Sequence, residues 1–361
     1  VTSYDLLRRD ETLYEGQEFY ACILDEAQAI KNHTTQKYKA VCKVRSRVRF
    51  ALTGTPVENR LGELWSIFSF LMPGYLPPYK SFCSRFEKPI VQEEDQTAVR
   101  RLNQLTGPFI LRRMKADVLK ELPPKTENVY RIELEEEQRK LYLAAVVDAR
   151  EKLRAAKPED KMAVFAVLMR LREICCDPRL IADNWEGGSA KLDACVELIS
   201  GAVEGGHRIL LFSQFTSMLE LLAKRLDAEG ISHFTLQGST PKPVRAELVR
   251  RFNGGEVSVF LISLRAGGTG LNLTAADIVI HYDPWWNVAA QNQATDRAYR
   301  IGQQNPVQVY KLIAQDTIEE KIVELQQAKQ SLADTVTGTA DGAILSMRPD
   351  ELLQLLEGSE P

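Results

Sequence analysis

Two sets of residues in this sequence could do chemistry on a phosphate. The first is Asp25-Glu26, adjacent carboxylates that follow the apolar run Phe19 to Leu24. Such a run reads as a buried strand, and open parallel sheets bind ligands outside the carboxyl ends of their strands. A carboxylate pair there suits Mg-assisted phosphoryl transfer: one acid holds the metal, directly or through water, and the next orients the attacking water. The plain alternative is an N-cap acid followed by a first-turn glutamate. The second set is Gln293, Arg297 and Arg300. Their i, i+4, i+7 spacing puts them on one face of a helix. Guanidiniums held beside a sheet make sense against an anion, a triphosphate above all, because arginine stabilises the equatorial oxygens of a transferring phosphoryl group. The alternative is a solvated helix face with scattered charge.

The elements that must position these groups alternate between strand and helix. A helix capped by Thr34 or Thr35 runs to about Arg45, and the strand Val48 to Leu52 ends in Thr53-Gly54-Thr55-Pro56. This is a second polar loop at a strand end, small enough for close approach by a nucleotide or a neighbouring domain; a plain Thr/Gly/Pro turn is the alternative. An apolar helix from Leu61 to Leu71 precedes short helices over 79–108. Then comes PFILRRMK, whose Arg112 and Arg113, with Lys120 and Lys125 beyond, form a basic connector and the first candidate for phosphate-backbone contact. A strand is expected over Val129 to Leu134, and helices over Glu135 to Ala156 and Lys161 to Cys176. The loop Asn184 to Ser189 marks a domain boundary. Beyond it lie a helix (Lys191 to Val203), a strand (Arg208 to Phe212), a helix (Ser217 to Asp227), a strand (His233 to Leu236), a helix (Val244 to Phe252) and a strand (Val257 to Ile262). A Gly-rich turn (Ala266 to Gly270), a strand (Ile278 to Ile280) and the helix carrying Gln293, Arg297 and Arg300 follow. This alternation predicts an α/β fold, a parallel sheet with helices on both faces. A last strand (Val307 to Ile313) and a helix (Thr317 to Leu332) complete it. Past Thr337 the pattern is weak, apart from a short helix from Pro349-Asp350 to about Leu356.

Length allows two or three domains in 361 residues. No stretch approaches the ~20 apolar residues that cross a bilayer, so no membrane partner is expected. The net charge of -3 requires any nucleic-acid surface to be local. Six cysteines without a CxxC pair and four histidines away from them argue against a zinc site or a disulfide framework and fit a reducing compartment. The first residue is valine and no signal peptide follows, so the sequence is expected to lie within a larger protein.

Nine segments in order carry a family resemblance: DEAQ at 25–28, LTGTP at 52–56, PFILRRMKADVLKELPPK, RLREICCDPRLI, FSQF at 212–215, QGST at 237–240, RAGGTGLNL at 265–273, DPWWN at 283–287 and QATDRAYRIGQ. Together they resemble the Swi/Snf-type DNA-dependent ATPases of helicase superfamily two, over nearly the whole chain. The resemblance implies two RecA-like P-loop lobes, a partial lobe one and a complete lobe two, with ATP and Mg2+ between them and double-stranded DNA across both. It divides the chain into the second half of lobe one (1–72), a helical protrusion and basic linker (73–129), a helical insertion (130–187), lobe two (188–315), a brace helix (316–336) and a tail (337–361).

Roles follow position by position. Asp25 matches the Mg-coordinating acid and Glu26 the catalytic glutamate, with Gln28 beside the nucleotide. Thr53, Gly54 and Thr55 match the loop that couples hydrolysis to lobe motion. Arg297 and Arg300 match the arginine fingers, Gln293 a nearby polar partner, and Gly268 and Gly270 the turn facing nucleotide and DNA. Gln214, Ser239, Thr240, Ser263 and Arg265 match positions near the tracked strand. The rings of Trp285 and Trp286 either touch DNA or pack beneath it. Gln28 and Tyr299 stand where histidine is usual, and Pro243 interrupts a helix start. No GxxxxGK[ST] occurs, so the phosphate-cradling lysine is expected upstream of Val1 and the chain alone is expected to be inactive. The implied function is ATP-driven translocation on duplex DNA, remodelling protein–DNA complexes without strand separation, by a monomer acting on an unspecified protein cargo. The location would be cytoplasmic and nucleoid-associated in a prokaryote, or nuclear in a eukaryote. A non-catalytic DNA-binding or regulatory module with a retained helicase fold is the alternative.

Overall fold

The computed structural model describes residues 1–54, 61–93, 95–113, 118–157, 160–182, 184–267, 270–326 and 348–357. These form two compact units, one within residues 1–113 and the other within 118–357.

In the first unit, Ser3 caps α1 (Tyr4–Arg9) by accepting from the Leu6 N–H at 3.2 Å. β1 (Glu18–Leu24) and β2 (Arg45–Ala51) pair in parallel, joined by the crossover helix α2 (Gln36–Lys43), whose N-cap is Thr35. Leu24 lies opposite Ala51, so Asp25 and Thr53 leave neighbouring strand ends. The expectation of a buried strand is corrected here. Only Leu24 of β1 is buried, and Tyr20 and Ile23 are 76% and 61% exposed. The unit's core gathers from Leu7, Leu24, Ile30, Val41, Val44 and Phe70, with Phe19, Cys22 and Ala51 only partly covered beside it. α3 (Leu61–Leu71) joins this core through Phe70. Through Leu64 and Phe68 it joins a second cluster with Phe82, Phe86 and Leu102, the last on α4 (Gln96–Thr106).

The second unit is built on six parallel strands in the order β3-β8-β7-β4-β6-β5. They are β3 (Lys125–Ile132), β4 (Ile209–Ser213), β5 (His233–Leu236), β6 (Val259–Ser263), β7 (Ile278–His281) and β8 (Val307–Ala314). The helices are α5 (Glu136–Ala155), α6 (Lys161–Cys176), α7 (Ala190–Glu204), α8 (Thr216–Ala228), α9 (Lys242–Asn253) and α10 (Val288–Thr295). β4, β6 and β7 are buried on both sides, as near-continuous Val/Ile/Leu runs should be. Alternate residues separate the faces: Ile209, Leu211 and Leu261 meet α7 and α8, whereas Leu210, Phe212 and Phe260 meet α9. β3 starts four residues before the expected Val129. Its first half pairs with β8 from Lys125 opposite Val307, and there Glu127 accepts from Lys125 at 2.7 Å and from Lys311 of β8 at 2.8 Å. Pro243 does not interrupt α9. It stands in the first turn, where no intrahelical N–H is needed.

A further apolar cluster joins α5 and α6 to the helix over 318–326 and to α11 (Pro349–Glu357), with Leu352 and Leu356 almost wholly buried among Tyr142, Val146 and Val164. Beside it Lys191 and Glu319 form an ion pair with both side chains fully buried. Glu319 also accepts from the Ala314 N–H, and Tyr282 donates its hydroxyl to the Cys176 carbonyl. Removing one member of such a pair strands a charge in the interior. Lys191→Met is therefore expected to destabilise the protein by about 3–5 kcal/mol in urea unfolding, while Lys191→Met combined with Glu319→Leu recovers most of that loss. Equal losses in the single and double variants would refute this account.

Candidate functional site

In the first unit, Glu26 has φ 51°, a left-handed backbone that costs a non-glycine residue on the order of 1 kcal/mol. The Ala27 N–H holds the bend by donating to the Leu52 carbonyl at 2.9 Å. A single 3-10 turn, Ala27–Ile30, follows, and the Glu26 side chain makes no capping bond to it, so the capping alternative does not describe this acid. Instead Gln28 Nε2 donates to Glu26 Oε2 at 2.6 Å, and Thr53 Oγ1 donates to Gln28 Oε1 at 2.7 Å. One side chain thus ties the DEAQ acid to the Thr53 loop on the next strand. Asp25 Oδ1 accepts from the Glu26 N–H at 3.0 Å, and Tyr4 donates its hydroxyl to the Asp25 carbonyl at 2.7 Å. Burial, then the Asp25 charge, push the Tyr4 phenol up to about 12, so it stays a donor. Asp25 and Glu26 are exposed. Among the described residues no three His, Cys, Asp or Glu side chains cluster as a metal cage. That donor set fits Mg2+, which is held by one or two carboxylates with water and phosphate oxygens completing its octahedron.

In the second unit, Asn287 caps α10 by accepting from the Ala290 N–H at 2.6 Å. Gln293 lies on this helix, half-buried. The expectation that Arg297 and Arg300 share the helix is corrected: α10 ends at Thr295, and both arginines stand in the turns that follow. The side chains draw the chain out of the helix. His281 Nε2 and Thr295 Oγ1 lie 2.8 Å apart, Arg297 Nε donates to the Gly267 carbonyl at 2.9 Å, and Arg300 Nη1 donates to the Leu271 carbonyl at 3.2 Å. The Leu273 N–H in turn donates to the Arg297 carbonyl at 3.0 Å. The two guanidiniums therefore clasp the loop between β6 and β7. Arg297 is buried and Arg300 half-buried. Gly270, at φ 33°, lies in the clasped loop, whereas Gly268 and Thr55 lie outside the described residues.

His281, stacked on Phe212, is wholly buried, and burial followed by Lys311 pushes its imidazole down to about 3. The unfolded chain takes up this proton near pH 6.5, so acid favours unfolding. The stability due to neutral His281 is complete above pH 6.5 and drains as pH falls toward 3, at up to about 1.4 kcal/mol per pH unit. Urea midpoints of the wild type are expected to fall more steeply between pH 6.5 and 4.5 than those of His281→Gln; parallel slopes would exclude His281 as the cause.

The positions expected near a nucleic-acid strand fall into three environments. Ser239, Arg265, Arg112 and Arg113 are exposed, and Thr240 is half-buried, its hydroxyl oxygen accepting from the Gln237 N–H at 3.1 Å. Ser263 is corrected: it is 3% exposed at the end of β6, with its hydroxyl unpartnered inside the sheet. Gln214 and Trp285 are half-buried around an ion pair that motif reading did not single out, Arg172 with Asp283 at 3.0 Å. Its signal was present in the sequence, because Arg172 follows Leu168 by four residues on the apolar face of α6. A charge there needs a partner.

The SNF2-related domain matches residues 1–180 and the helicase conserved C-terminal domain matches residues 190–302. A putative ATP-dependent helicase/translocase of Bacillus subtilis is 40% identical over 364 residues, covering 98% of this chain and 39% of that protein. An uncharacterized ATP-dependent helicase of Mycoplasma pneumoniae is also 40% identical, over 99% of this chain and 34% of its own length. The chain thus spans little more than a third of the curated relatives it matches. A Sulfolobus solfataricus SWI2/SNF2 ATPase core in complex with dsDNA is 36% identical, with a TM-score of 0.56 over 97% of this chain and 75% of that one. The strand ends that carry Asp25, Glu26 and Thr53, and the loop clasped by Arg297 and Arg300, accordingly stand on RecA-like lobes, and this chain belongs to the SNF2 family of ATP-dependent helicases.

Proposed function

We propose that the intact protein hydrolyses ATP and uses it to move along double-stranded DNA, displacing proteins bound there without separating the strands. The observation that carries this reading is the Glu26–Gln28–Thr53 relay, which links a candidate water-orienting acid to the neighbouring strand's loop by two short hydrogen bonds. Asp25 holds Mg2+, which when bound neutralises the charge developing on the phosphates. Glu26 orients the attacking water and takes its proton. Gln28 links that site to Thr53, and Thr53, Gly54 and Thr55 couple hydrolysis to lobe motion. Arg297 and Arg300 supply positive charge to the transferring phosphoryl group, with Gln293 and the turn at Gly268 and Gly270 beside it. Gln214, Ser239, Thr240, Arg265 and Trp285, with Arg112 and Arg113, grip the DNA backbone, a sequence-independent contact that weakens steeply with salt.

The test is ATP turnover by the intact protein with no nucleic acid, with single strands and with linear duplex, beside a fork-unwinding assay. Stimulation by duplex above single strands, without unwinding, is the expected result. Indifference to duplex, or strand separation, would overturn the reading. Salt-sensitive duplex binding without turnover would instead favour a non-catalytic DNA-binding module.

A further inference from the structure

We propose that Arg172 is a positioning residue for the DNA grip: from the insertion helix α6 it sets the DPWWN loop and Gln214 in the geometry that holds duplex. This rests on the reading in which Gln214 and Trp285 face DNA. Arg172 has no exposed surface. Its Nη2 donates to Asp283 Oδ2 at 3.0 Å and to the Pro284 carbonyl at 2.6 Å, which fixes the loop's entry. Its guanidinium carbon lies 4.6 Å from the Trp286 ring centre and 5.6 Å from that of Trp285. The other carboxylate oxygen of Asp283 accepts from Ser213 Oγ at 2.6 Å and from the Gln214 N–H at 3.2 Å. One buried arginine thereby holds both DNA-facing motifs through one aspartate.

The rest of the guanidinium shows that this arrangement serves more than charge neutralisation. Arg172 Nε and Nη1 are buried without a hydrogen-bond partner, and so is Gln214 Oε1. Native interiors leave few such groups, and those that persist call for a reason. Both bonds leave from Nη2 alone, and a lysine could make them, but its ammonium is a compact point charge and cannot spread a planar cation over both indoles. The contact of the guanidinium with both rings is what a lysine cannot supply.

Arg172→Lys, made in the intact protein, keeps the charge and removes the guanidinium from the two indole rings. The duplex concentration giving half-maximal stimulation of ATP turnover is expected to rise about ten-fold, while turnover at saturating duplex stays within about two-fold of wild type. A wild-type half-maximal concentration, or a fall in saturated turnover matching any rise, would overturn the proposal. If the lysine variant does not fold, Arg172→Met with Asp283→Asn, which removes both charges, is judged by the same two readings. Failure of the unmutated protein to respond to duplex would count against the proposed function, and so is distinguishable from failure of this inference.

Discussion

Glu26→Gln is expected to lower ATP turnover by about two to four orders of magnitude with nucleotide affinity unchanged, the range for loss of a positioned general base. The structure makes this substitution informative. The glutamine carbonyl oxygen can still accept from Gln28 Nε2, so the link to Thr53 survives and only the charge and basicity are lost. Gln28→Ala does the reverse. It leaves the acid and cuts the link, so turnover should fall much less while its response to duplex weakens. Steady-state turnover and titration with a fluorescent ATP analogue separate the two variants. A Glu26→Gln protein within about three-fold of wild-type turnover would remove Glu26 from the base role.

The second large effect falls on the arginines. Arg300→Ala is expected to reduce turnover by about three orders of magnitude or more, the scale of an arginine finger. Its bond to the Leu271 carbonyl is long, at 3.2 Å, and its side chain is half-buried, so the fold should melt close to the wild-type temperature. Arg297→Ala should lose comparable activity and stability as well. The buried Arg297 donates to Gly267 at 2.9 Å, and a carbonyl left unsatisfied in the interior costs about 1–3 kcal/mol. Turnover and thermal unfolding measured on both variants make the distinction. Full activity in Arg300→Ala would dissociate that residue from the chemistry. The Arg300 guanidinium offers five N–H donors in a fork, so its bond to the Leu271 carbonyl leaves donors for a phosphate oxygen as well.

Much of this was legible because the signals were local. The helices over 61–71, 161–176 and 349–357 and the strands around 209, 233, 259 and 278 announce themselves by period and punctuation, and the structure places them within a few residues. The misjudged places are those where distant residues decide. The run after Thr295 has helical spacing, but bonds to carbonyls about thirty residues earlier pull it into turns. β3 starts early because its backbone pairs with β8, from near the far end of the chain, from Lys125 opposite Val307 onward. Phe19 to Leu24 is apolar enough for an interior, yet how much of a strand is covered depends on what packs over it. Ser263 shows the opposite limit: the resemblance places it near the tracked strand, and here it is 3% exposed at the end of β6. The Arg172–Asp283 pair joins residues 111 positions apart, a separation no spacing rule reads.

The seating of α11 on α5 and α6 has a consequence for how the polypeptide is made. Leu352 and Leu356 close an apolar cluster whose members on α5 and α6, from Tyr142 to Cys175, leave the ribosome well over a hundred residues earlier. At 5–20 residues per second, α5 and α6 wait on the order of ten seconds with that face bare. A nascent chain is therefore sticky there until Pro349–Glu357 emerges, and a bound chaperone should be released only then.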